Sequence, residues 1–252
     1  SHPFRLHRYS LSHSGALPTL ALNRLIAFTA ASVVGIFAPI FLYEFFDQKI
    51  HFVLLWYAID FGFKLPFYVP GAKFFQQIGL KYSMMIGTLG AIGFYGSFYL
   101  LETSTSIDPI FLMGFAIVSL MILTTLYWSP FHIDFAEFSD PKTRGKQVGL
   151  FYAAQRFLSV VAPMISGIVI ASQGYGILFF VGMCLVTLSV IPLFKIPRFH
   201  VTFEFGFIET FKKLFDKKYR PMTLSMISFG AENIVGVVVW PIFLFSIFNG
   251  EY

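Results

Sequence analysis

Four ionisable residues sit inside long apolar stretches of this 252-residue chain: Asp60, Lys64, Arg156 and Glu232. An ionisable side chain in hydrocarbon costs at least about 2.5 kcal/mol on insertion scales, so each needs a partner, a cavity or a function. Asp60 and Lys64 are four residues apart, which puts them on one helix face. There they either neutralise each other or line a water-filled path. Arg156 lies roughly 12 Å along its helix from the nearer end, too deep to snorkel easily, and needs an anion or an acid. Glu232 stands roughly 15 Å into its stretch, near the bilayer middle, the depth at which carriers bind substrate and couple to protons. Structural pairing, including Arg156 with Glu232, is the alternative for both.

Other chemistry is thinner. His132, Asp134 and Glu137 have metal-ligand residue types, but no second cluster accompanies them, so no metal is expected. No GxxxxGK phosphate loop occurs and no connection has room for a nucleotide-binding domain, so no cofactor and no primary pumping are expected. Cys184 is the only cysteine, which excludes a disulfide framework, and reads as a small core residue.

The elements that carry these residues are membrane spans. Hydrophobic residues make up 56% of the chain and charged ones 12%, about half the share of a soluble domain, roughly 25%. A helix crossing a core about 30 Å thick needs roughly 20 apolar residues. Seven such stretches are present: Leu25–Phe46, Phe52–Phe74, Tyr82–Leu101, Pro109–Phe131, Val148–Ser172, Tyr175–Phe194 and Met222–Phe248. The fold class is therefore an all-α membrane protein, with the lipid bilayer as its first partner. Tyr127 and Trp128, at the end of the fourth stretch, read as interfacial belt aromatics.

The net charge of +5 does not point to nucleic acid, because the 18 basic residues sort by side. Fifteen of them, including Arg24, Lys81 and Arg144, fall in the segments on the amino-terminal side, and Lys49 alone lies opposite. The positive-inside rule then makes the amino terminus cytoplasmic. The expected organisation is a cytoplasmic segment over 1–24, a six-helix bundle over 25–194, a basic loop over 195–221 and a seventh helix over 222–252. In the loop Phe203, Phe207, Phe211 and Phe215 recur every fourth residue, which predicts an amphipathic helix lying on the membrane.

Gly87, Gly90, Gly93 and Gly96 step through the third span by threes and predict a groove for a neighbouring helix. Pro39, Pro66, Pro70, Pro163, Pro192 and Pro241 predict bends in five spans.

Two segments resemble the major facilitator superfamily. GAKFFQQIGLKYSMMIG, Gly71 to Gly87, is similar to the signature turn between the second and third helices, with Ala72, Gly79 and Lys81 at the small, glycine and basic positions. Gln76 and Gln77 stand where the family has an acid and often an arginine. DPKTRGKQVGLFYAAQRFLSVVAPMISG, Asp140 to Gly167, is similar to the start of the fifth helix, with Arg144, Gly145 and Gly149 matching. Ser159, Ala162, Pro163, Ser166 and Gly167 occupy its small-residue and proline pattern, which the family associates with antiport.

The resemblance implies a secondary transporter of a small-molecule substrate working by alternating access, with protons as candidate coupling ion, in a bacterial cell (inner) membrane. Family members have twelve helices, so it also implies a missing second half. Three other classes compete. A seven-helix receptor or light-driven pump requires the opposite orientation, and a retinal pump a lysine in the last span, which has none. A membrane-embedded enzyme needs paired acids or histidines at one depth. A helical scaffold or assembly factor is the third.

Overall fold

The computed structural model describes residues 4–6, 16–138, 144–197, 201–203, 211–212 and 215–248. Seven helices are long and apolar enough to cross a membrane: Pro18–Phe45, Ile50–Ile78, Leu80–Thr103, Pro109–Ile133, Gly145–Gln173, Tyr175–Leu193 and Arg220–Ile247. They correspond one to one with the expected stretches. Most reach further at their ends, because helix continues past the apolar run wherever no breaker intervenes.

The largest shift is at the start, where helix begins at Ala16 and includes Arg24. Arg24 therefore belongs to the first span, leaving fourteen basic residues in the amino-terminal-side segments and span ends.

Single glycines make two of the reversals. Gly79 (φ 85°, ψ 154°) separates the second and third spans, and Gly174 (φ 78°, ψ 178°) the fifth and sixth. This backbone region is open essentially to glycine alone, at a cost of about 1–3 kcal/mol for other residues. The Gly79 N–H donates to Phe75 O at 2.9 Å and its carbonyl accepts from Ser83 N at 3.1 Å, so the turn leaves no orphan group of its own.

The core lies among the first, third and sixth spans. Phe41 meets Phe98, Tyr175 and Phe179 with ring centroids 5.5, 5.3 and 5.1 Å away, and Trp56 reaches Phe98 from the second span. The glycine stripe faces the fourth span. A Cβ on Gly87 would sit 2.6 Å from Tyr127 N, and one on Gly90 would sit 2.6 Å from Ser119 O. Gly96 is different, with Met183 Sδ at 3.8 Å.

The prolines divide into two groups. The fifth span runs Arg144–Gln173 without interruption through Pro163, so the bend expected there does not end the helix. The first span breaks at Gly35 and Ile36, four and three residues before Pro39. The fourth and seventh spans each contain a π turn, Thr124–Trp128 and Val235–Val239, just before Pro130 and Pro241. A proline ring displaces the carbonyl four residues earlier and supplies no N–H, which the extra residue of a π turn accommodates.

The seventh span packs on the second half of the first through Val238, Ile242 and Phe245, all buried. Its first half, Arg220–Ile234, buries no side chain.

In the loop between the sixth and seventh spans, Val201–Phe203 pairs antiparallel with Phe4–Leu6, Phe4 opposite Phe203. Phe203 is thus in a strand and not in the expected amphipathic helix. Phe211 and Phe215 are helical, and Phe207 lies outside the described residues. Cys184, expected in the core, is exposed on the sixth span.

Candidate functional site: a buried arginine at a π turn

The site begins with Pro130. Having no N–H, it leaves Leu126 O, four residues earlier, without its helical donor. The Ser83 hydroxyl on the third span donates to that oxygen at 2.8 Å. Gly87 lets the third span lie against the backbone of Leu126 and Tyr127, and Gly71 faces Thr125, where a Cβ would sit 3.0 Å from the Thr125 Cβ. Three small residues on two helices therefore hold the π turn in place, and the turn aims Tyr127 and Trp128 inward. Both were expected in an interfacial belt. Instead Tyr127 is 2% exposed. Its hydroxyl donates to Asn23 Oδ1 at 2.8 Å, while Asn23 Nδ2 donates to Ser189 O at 2.6 Å, tying the first, fourth and sixth spans together.

Arg24, the next residue, is 4% exposed. Its guanidinium carbon lies 3.8 Å from the Trp128 ring centroid, with Phe28 and Phe131 each at 5.5 Å. Trp128 also stacks on His132, centroids 5.9 Å apart, so the histidine of the metal-like triad serves as a ring partner. Arg24 also interacts with the Tyr127 phenol. Among the described residues no carboxylate lies within ion-pair distance of it. A desolvated cation–π contact is worth about 2 kcal/mol or more, whereas burying a charge costs several kcal/mol per ion. Arg24 is therefore not kept here for stability.

The guanidinium borders a cavity of about 50 Å³ among the first, third, fourth and sixth spans, lined also by Ala31, Thr88, Tyr95, Tyr127 and Ser189. The Thr88 and Ser189 hydroxyls already donate, to Met84 O at 2.9 Å and Val186 O at 2.6 Å. Tyr95 is 6% exposed and lines the same cavity, close enough to Arg24 to feel its charge. The one charged group on this cavity is thus the Arg24 guanidinium, a donor only, while the Thr88 and Ser189 oxygens keep acceptor lone pairs and the Tyr95 hydroxyl can donate or accept.

Asp60 and Lys64 form the expected pair. Lys64 Nζ donates to Asp60 Oδ2 at 2.5 Å, and both side chains are buried on a stripe with Val53 and Trp56. The Asp60 Oδ1 and the Trp56 Nε1, one turn apart, are buried without partners among the described residues.

The remaining expected residues do not join these clusters. Arg156 and Glu232 are both exposed, and no ion pair links them. They stand on helices without extensive mutual packing, which a pairing argument from depth alone does not detect. The side chain of Lys81 donates to Phe194 O at 2.7 Å, fastening the start of the third span to the end of the sixth. Ala72 packs, half-buried, beside Phe75 and Leu80. Arg144 opens the fifth-span helix, so Gly145 and Gly149 lie within its first turns rather than in a loop. Both are exposed, with nothing within 4 Å of an added Cβ. Ala162, Ser166 and Gly167 are buried and Pro163 half-buried, as a close-packing face requires.

Asn23, Arg24, Tyr95, Tyr127 and Trp128 are the site residues that sequence reasoning passed over. The available signal was the mostly apolar segment 20–22 just before Arg24, which lets the helix start at Ala16 and carry Arg24 inside it. Compared with protein-family models, with curated proteins and with solved structures, the chain matches none.

Proposed function

We propose that this chain is the first six helices and the seventh of a secondary transporter of the major facilitator type. It moves a small solute by alternating access, with its amino terminus in the cytoplasm of a bacterium. The observation that carries the reading is the cavity at Arg24, a buried charge without an acid partner among the described residues, set among four spans at a break in one of them. Intramembrane charges turned to a cavity mark transport pathways, and interrupted helices are where carriers build their sites. The charge distribution supports the orientation, with fourteen basic residues on the amino-terminal side against Lys49 on the other.

Glu232 has no ion partner among the described residues and precedes the π turn of the seventh span by three positions. In this reading it carries the coupling proton. Purified protein in proteoliposomes should accumulate a solute from a metabolite panel only under an imposed pH gradient. Glu232→Gln keeps shape and hydrogen bonding while removing titration, so it should retain exchange and lose accumulation. Accumulation by Glu232→Gln with wild-type pH dependence would assign Glu232 a structural role, and absence of uptake across the panel would count against transport itself.

A further inference from the structure

We infer that the Arg24 cavity binds an anionic oxygen group, a carboxylate or phosphate, and that this group is the head of the transported solute. The inference deepens the transport reading and rests on it for the second clause only. Its basis is a buried cation on a cavity with no counter-ion among the described residues. A guanidinium presents five N–H donors in a planar fork and accepts nothing. Around it Asn23 is engaged by Tyr127 and Ser189, Tyr127 shares a hydrogen bond with Arg24, the Thr88 and Ser189 hydroxyls donate to their own helices, and Tyr95 lines the same space, so only neutral groups face the charge. What neutralises the guanidinium is a group that accepts hydrogen bonds and carries negative charge. Arg with carboxylate or phosphate is the charge-assisted, fork-matched case.

Size narrows the ligand. A volume of about 50 Å³ holds a few water-sized centres, enough for a carboxylate or a phosphate and too little for a sugar ring. The body of the solute must then extend beyond the cavity, and Ala31, exposed on its wall, marks an open side. Trp128 backs the guanidinium, with its own ring stacked against His132.

Trp128 also reports occupancy, since an anion drawn to the guanidinium changes the field on the indole. The test follows tryptophan emission of the purified protein during titration with inorganic phosphate and, separately, with succinate. A third arm uses nanodiscs of phosphatidylglycerol against phosphatidylcholine. The expected result is a saturable change with phosphate or succinate, weakened about tenfold or more in Arg24→Gln. Arg24→Lys should fall between, because it keeps the charge and loses the fork. Melting in detergent guards against misfolding: Arg24→Gln should melt no lower than wild type, since it removes an unneutralised buried charge.

A response confined to phosphatidylglycerol nanodiscs would keep the anion site and overturn the solute as its source. Equal affinity in Arg24→Gln, no saturable response in any arm, or a marked drop in melting temperature would overturn the site. Saturable binding without uptake in proteoliposomes would sink the transport reading and leave the site standing. Uptake of a neutral solute unaffected by Arg24→Gln would do the reverse.

Discussion

Asp60→Asn alone is expected to destabilise the protein by about 3–5 kcal/mol, and Lys64→Met alone by a similar amount, because each leaves one buried charge without its counter-ion. Both residues are nearly inaccessible, at 1% and 6% exposure, and the Lys64 ammonium has Asp60 as its only ion partner among the described residues. The double variant Asp60→Asn/Lys64→Met should recover most of the loss, since removing a buried pair together is often neutral or stabilising. Thermal unfolding in detergent, read as a double-mutant cycle, measures this directly. Additive losses in the double variant would mean that the two charges act separately. A double variant that is stable but inactive in uptake would give the pair a part in transport beyond stability.

The second large effect belongs to the glycine stripe and should be graded along it. Gly87→Ala and Gly90→Ala should each cost about 3 kcal/mol or more, the upper end for overpacking, because their new Cβ atoms meet backbone of the fourth span at 2.6 Å. Backbone cannot rotate aside. Gly93→Ala should cost about 1 kcal/mol, since its nearest neighbour is the Ser119 Oγ, a side-chain atom that can turn away. Gly96→Ala should be neutral or gain up to about 1 kcal/mol of helix propensity, with Met183 Sδ at 3.8 Å. Equal effects at all four positions would contradict the packing described for the third and fourth spans.

These two features were legible in the sequence because they are local. An i,i+4 pair and a period-three stripe lie on a helix face wherever the helix goes, and seven apolar runs identify seven spans without any tertiary knowledge. The Arg24 site was not legible in the same way. A charge at the start of an apolar run reads as the end of a span, and only Trp128 and Tyr127, over a hundred residues away, make its burial tolerable. Those two aromatics read as a belt because nothing in their spacing reveals the π turn. The turn does have a sequence cause in Pro130, and an inward-turned aromatic pair just before a proline within a span is the clue to seek. Arg156 and Glu232, for which pairing was one alternative, form no ion pair among the described residues, because depth along a helix does not decide which helices are adjacent.

The central claim is that the Arg24 cavity opens alternately to the two sides of the membrane. In a Cys184→Ser background, Ala31→Cys places one thiol on the exposed wall of the cavity. Labelling with a membrane-impermeant maleimide, applied to oriented vesicles from each side in turn, should reach this thiol from both sides, and transported solute should slow the reaction from both. Labelling from one side only, with or without solute, would contradict alternating access.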